Sequence, residues 1–287
     1  MAFLLAVSIL WALSFGLLAH VSGLGATSVA AVRLLLAALV FLPFVRPGRL
    51  GWGQLLALAG VGALQFGVMY VLYIESYRWL HPSEVALFTI FTPLFVTLVD
   101  ALLVRRMSWL FLATAGLAVA GTGICLWTSL DRQGLGWGFL LMQGSNACFA
   151  LGQILYRRLA ARTGKTDLEL MGILYLGAVV VALAMALPVV QWARLAAMTP
   201  GQAWILLYLG VVASGVGFFL FNAGARRTDV GTLAIFNNAK IPLAILASAL
   251  VFHDPVDWTR LAAGGLVIAG ALVLNARLVR ALGIPSR

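Results

Sequence analysis

Charge is what this chain has least of. Only 10% of its 287 residues are Asp, Glu, Lys or Arg, and 63% are hydrophobic. A soluble domain is about a quarter charged, so a soluble globular protein is excluded. Acids are scarcest, nine Asp and Glu against nineteen Lys and Arg. No two carboxylates lie close together inside an apolar run, and neither a His-Glu-x-x-His pair nor a Gly-x-Ser-x-Gly turn occurs. Those absences argue against an intramembrane enzyme. The two cysteines, Cys125 and Cys148, sit in apolar runs without ligand spacing, as buried thiols do. The histidines His20, His81 and His253 fall in or beside connections, also without ligand spacing. No metal and no cofactor is expected. Strand-like alternation is missing too, which argues against a barrel. The net charge of +10 is scattered over short connections, so nucleic acid is not the expected partner.

What is there is hydrophobic length. About 20 apolar residues cross a bilayer, and that ruler places ten helices near 3–20, 28–45, 53–79, 84–104, 109–129, 135–158, 167–187, 202–224, 231–251 and 258–279. The expected class is an all-α membrane protein whose first span is retained rather than cleaved as a signal. The connections are short and hold most of the Gly, Pro and charge, as at 46–49, 81–84, 131–134 and 157–169. With ten spans both termini share a side. Loops on that side carry thirteen of the nineteen basic residues and the opposite loops carry four. Positive loops face the cytoplasm, so both termini are expected inside, in a bacterial inner membrane. The lipid bilayer is then the chief partner, and a monomer is the expected state.

A shift of 149 residues aligns the chain with itself. Pro93 falls on Pro242, Trp109 on Trp258, Gly116 on Gly265 and Gly121 on Gly270. The chain therefore reads as two five-helix repeats, 1–130 and 131–287. Five is odd, so the two repeats are inverted in the membrane, an arrangement of secondary transporters with the substrate site near the midplane. Gly116 with Ala120, and Gly265 with Ala269, are small-xxx-small pairs expected to bring helices close.

Two basic residues, Arg33 and Lys240, fall within spans. Arg33, near an outer helix end, is expected to snorkel. Lys240 lies roughly 14 Å deep at about 1.5 Å per residue, where a charge costs about 2.5–3.5 kcal/mol. Such a residue marks a functional site by default. Asn237 lies on the same helix face. Trp11, Ser14, Gln65, Gln143, Asn146 and Ser214 are expected at the same level, where bland interhelical bonds are the competing reading. The repeat sets Phe88 and Phe91 opposite Asn237 and Lys240, giving an aromatic wall. Pro93 and Pro242 each free a carbonyl four residues back, those of Thr89 and Asn238, and read as hinges. Glu75 reads as a solvated carboxylate at a helix end, or else as a gate at the outer mouth. Asp100 is expected to pair with Arg105 or Arg106.

The paired prolines and the Gly-rich fifth and tenth helices that begin at Trp109 and Trp258 resemble the drug/metabolite transporter superfamily, as two EamA-type units. Size and plan are similar to the YddG-like bacterial amino-acid exporters. The resemblance implies alternating access and export of small amphipathic metabolites, amino acids first among them. Another metabolite or drug exporter, or a channel-like facilitator, is the alternative. One departure is the acidic residue often found after the ninth helix. It is met here by His253 and Asp254, and after the fourth helix by Arg105.

Overall fold

Helices follow the apolar runs along the chain. The computed structural model describes residues 1–46, 48, 50–80, 82–125, 135–190, 192–253 and 255–283. The connection 131–134, the expected repeat boundary at 130, His81 and Asp254 lie outside the described residues. We label the helical segments α1 (Ala2–Leu18), α2 (Ala26–Phe44), α3 (Trp52–Ser76), α4 (Glu84–Val104), α5 (Trp109–Cys125), α6 (Leu135–Ala160), α7 (Asp167–Ala186), α8 (Pro200–Ala225), α9 (Val230–Val251) and α10 (Trp258–Ala281). Seven of them are long and apolar enough to cross a membrane, while α1 and α5 are shorter apolar helices. Helix α6 is 26 residues long but carries a polar stretch that includes Gln143, Ser145, Asn146 and Gln153. No strand occurs among the described residues.

Packing is pairwise. Helix α2 lies on α7, α4 on α9, and α5 on α10. Helix α1 packs on α8 and α9, and α6 packs on α3 and α4. The outward surface is apolar, with Leu102 76% and Leu266 72% exposed, as lipid requires and water would penalise. Trp52, Trp109 and Trp258 stand exposed at helix starts, at the level where tryptophan favours a membrane interface.

Close approach is made by glycine, though not by the expected pairs. Gly62 on α3 meets the backbone of Leu174 on α7, and Gly177 on α7 meets the backbone of Ala59 on α3. On α5 and α10 the contact is Gly121 against Gly264. Gly116 and Gly265 face open space, and Ala120 and Ala269 are exposed. The motif was right in kind and wrong in register: the small residues that matter are those on the buried stripe with Ala118 and Ile268.

Several helices depart from regular geometry, α9 among them with a π turn at Ser248–Phe252. Helix α4 tightens to a 3₁₀ turn at Thr89–Phe91, just before Pro93. Helices α3 and α8 widen to π turns at Ala63–Val68 and Tyr208–Val216. Such turns release carbonyls from the α ladder and concentrate at functional sites. Helix α9 does not break at Pro242: its α-helix runs from Val230 to Ala247 with the proline inside.

Candidate functional site

The released backbone groups show where the bundle is polar. In α4 the carbonyl of Phe88 accepts from Asn146 Nδ2 at 2.8 Å and Gln143 Nε2 at 3.4 Å. The carbonyl of Thr89 accepts from the Thr92 hydroxyl at 2.7 Å, and that of Ile90 accepts from Asn238 Nδ2 at 2.9 Å. In α8 the carbonyls of Ala213 and Ser214 accept from Trp11 Nε1 at 2.8 Å and the Tyr175 hydroxyl at 2.6 Å. In lipid each unmet group costs several kcal/mol, which explains why amides and hydroxyls gather around these turns.

Between these turns lies a cavity. It is lined by Trp11, Ser14 and Leu18 of α1, Arg33 of α2, and Met69, Tyr70 and Tyr73 of α3. Thr89 and Thr92 of α4, Ser145, Asn146 and Phe149 of α6, Phe218 of α8 and Lys240 of α9 complete it. Its empty volume, counted out to the mouth, is about 640 Å³, which limits an occupant to a small molecule. The lining holds two cationic side chains, Arg33 and Lys240, and no carboxylate among the described residues.

Lys240 Nζ stands 5.0 Å from the Trp11 ring centroid and 5.8 Å from that of Phe149. It has no hydrogen bond or ion pair among the described residues. Ring faces attract a cation but cannot replace a full hydration shell, so this amine is open to an anionic partner. Arg33 is 3% exposed. Its Nε donates to the Ser214 hydroxyl at 3.2 Å, and one terminal nitrogen donates to the Tyr70 hydroxyl at 2.7 Å. Its guanidinium carbon lies 4.4 Å from the Tyr70 ring centroid. The expected snorkelling is therefore wrong. Helix α2 begins at Ala26, which puts Arg33 about two turns inside it, and Ser214 and Tyr70 draw the side chain inward.

Of the residues singled out in the sequence, Trp11, Ser14, Asn146 and Lys240 line the cavity. Ser214 stands behind it, holding Arg33. Gln143 braces the α4 turn. Gln65 and Asn237 are fully buried in amide pairs instead. Gln65 pairs with Asn222 at 2.9 Å, and Asn237 pairs with Gln153 at 3.3 and 3.2 Å. An amide that finds a complementary amide in an apolar interior has no reason to face a ligand. Phe88 and Phe91 do not form the aromatic wall. They pack edge-on against Phe139, at 5.1 and 6.3 Å, in a separate apolar cluster. The wall is made by Trp11, Tyr70, Tyr73, Phe149 and Phe218. Glu75 is paired with Arg78 at 2.6 Å, with 28% of its side chain exposed, and does not line the cavity. Asp100 pairs with Arg158 of α6 at 3.1 Å, not with Arg105 or Arg106, because α4 packs against α6 along its length.

The amide pairs lie one turn beyond the cavity on α3, α6, α8 and α9. Farther in the same direction, Asp167 at the start of α7 receives Arg226 at 2.9 Å, Arg227 at 3.1 Å and the Tyr156 hydroxyl at 2.6 Å. Residues 1–127 and 136–276 match the EamA-like transporter family. The chain belongs to the EamA-like transporter family. Among its relatives are a biotin transporter of Escherichia coli K12, 39% identical over 97% of this chain and 94% of that protein. A probable biotin transporter of Pseudomonas aeruginosa is 40% identical over 96% and 97%. The resemblance to an EamA-type carrier holds at family level. At the finer level, these relatives of the EamA protein described here are named for biotin, not for amino acids. A solved structure 20% identical matches it with a TM-score of 0.76 over 97% of this chain and 98% of its own, which shows the fold alone. As an EamA-family membrane transporter, it acts on a small molecule.

Proposed function

We propose that the protein carries biotin, or a closely similar monocarboxylate, across a bacterial inner membrane by alternating access. The observation that carries the reading is Lys240, an amine that among the described residues has no ionic partner, in an aromatic cavity whose described lining holds no carboxylate. Biotin has one carboxylate, an apolar chain and a compact ring system, and no positive charge. The lining suits each part: a cation for the carboxylate, ring faces for the chain and ring. The near full-length relatives named for biotin support the same reading. An amino acid fits less well, because its ammonium group would meet two cations and no acid. Such like-charge desolvation is costly.

Ten spans arranged as two inverted halves remain part of the proposal, with both termini in the cytoplasm and export as the net direction. The reciprocal packing supports the paired halves: α1 on α8 and α9 is mirrored by α6 on α3 and α4. The test is counterflow of labelled biotin in proteoliposomes, competed by unlabelled biotin, by biotinamide and by a panel of neutral amino acids. Competition by biotin with little by biotinamide or amino acids supports the reading. No counterflow of labelled biotin, with counterflow of a labelled neutral amino acid in the same vesicles, overturns it and restores the amino-acid carrier.

A further inference from the structure

Arg33 is the second cation of the cavity, and its bonding differs from that of Lys240. Nε and one terminal nitrogen are engaged by Ser214 and Tyr70. Those two hydroxyls also bond each other at 3.1 Å, and the guanidinium is stacked on the Tyr70 ring. The remaining terminal nitrogen has no hydrogen bond among the described residues. It is also not one of the fully enclosed side-chain atoms that lack a partner, which among the described residues are Asn238 Oδ1 and Asn275 Oδ1. That nitrogen therefore keeps some accessible surface, and Arg33 lines the cavity.

We propose that the cavity has two acceptor-binding poles, with Lys240 taking the substrate carboxylate and Arg33 taking a second acceptor of the same molecule, a carbonyl or a carboxylate oxygen. An arginine that offers its full fork binds carboxylate bidentately. Here Ser214 and Tyr70 take the edge formed by Nε and one terminal nitrogen, and three of the five N–H donors, carried by the two terminal nitrogens, are left for a ligand acceptor, a carbonyl or a carboxylate oxygen. Arg33 is held before the ligand arrives, so little side-chain freedom is lost on binding. Lys240 is a point charge on a flexible stem and adapts to a carboxylate from several directions. In biotin the second acceptor is the ureido carbonyl, at the far end of the molecule from the carboxylate. The substrate class is wider: any small apolar acid with a strong acceptor at its opposite end. The inference rests on the Lys240 site proposed above, with Arg33 as the residue that selects among acids.

Binding to purified protein in nanodiscs tests it with three ligands. Octanoate has a carboxylate alone. Biotin and heptanedioate have a carboxylate and a second acceptor. Two poles require that biotin or heptanedioate bind wild type about ten-fold or more tightly than octanoate. This arm needs no variant. Arg33→Lys, which keeps the charge and loses the fixed planar donor, should remove that advantage and leave octanoate affinity within about two-fold. Lys240→Met should weaken all three. Equal affinity for octanoate and both two-acceptor ligands overturns the proposal. So does an Arg33→Lys protein that keeps the preference, or one that loses octanoate binding as much as biotin. If heptanedioate shows the Arg33-dependent gain and biotin does not bind, the biotin reading fails and the two poles stand. If biotin binds without depending on Arg33, the reverse holds.

Discussion

Lys240 and Asn237 sit one helical turn apart and do different work. The Lys240 amine faces the cavity over Trp11 and Phe149. A charge-assisted hydrogen bond to a carboxylate contributes about 1.5–3 kcal/mol, so Lys240→Met should raise the transport KM for a carboxylate substrate at least about ten-fold. The substitution keeps the stem and its apolar contacts, so folded yield in detergent should be unchanged. Normal transport by this variant would make the lysine structural. Asn237 is locked to Gln153 and to the Leu233 carbonyl, at 2.9 Å for the latter. Asn237→Leu leaves Gln153 unpaired in the interior, at a cost of about 1–3 kcal/mol. It should lower the melting temperature with little effect on competition between substrates. A loss of substrate preference with unchanged melting would return Asn237 to the binding site.

At the scale of a helix, α4 and α9 diverge although both carry a proline at the repeated position. Pro93 follows a 3₁₀ turn whose carbonyls are held by Asn146, Thr92 and Asn238. Pro242 lies within continuous α-helix. Local strength therefore differs between the two helices, and a hinge is better supported by α4. Pro93→Ala can restore an N–H to the ladder and stiffen that turn. It should slow turnover more than it weakens binding, measured as kcat against KM in counterflow. Pro242→Ala should do less. Equal effects would mean that the proline, not the broken turn, sets the motion. Packing between helices makes a second demand. Gly62 meets the Leu174 backbone with no room for a side chain. Gly62→Ala should push α3 from α7 and destabilise by about 1–3 kcal/mol, read as a lower melting temperature in detergent.

For the whole molecule, the proposed orientation rests on charge. The connection after α4, the last turn of α6 and the connection after it carry Arg105, Arg106, Arg157, Arg158, Arg162 and Lys165, and basic helix ends and loops favour the cytoplasm. Cysteine placed at Gly164 should react with an impermeant maleimide only after the membrane is opened. Cysteine placed at Gly134 should react from outside. The opposite pattern would invert the topology and, with it, the side on which Asp167 joins Arg226 and Arg227.

How much of this was legible in the sequence follows from what each feature depends on. Composition and the length of the apolar runs determined a helical membrane protein, because lipid leaves every backbone polar group to be satisfied within the chain. The self-match at 149 residues pointed to paired halves, and the charge inside α9 marked the cavity at Lys240. Arg33 was also seen within a span but was expected to snorkel, and Tyr70 and Tyr73 lie at helical spacing beside Met69. Their roles were not readable, because depth counted along one helix says nothing of the neighbour that a side chain meets. Tertiary packing alone decided that Gln65 and Asn237 find amide partners, that Phe88 and Phe91 turn to Phe139, and that Phe149 and Phe218 form the wall. Those outcomes rest on rotation and register between helices distant in sequence. In a chain this uniformly apolar, the face of a helix that meets a cavity and the face that meets another helix carry the same kinds of residue.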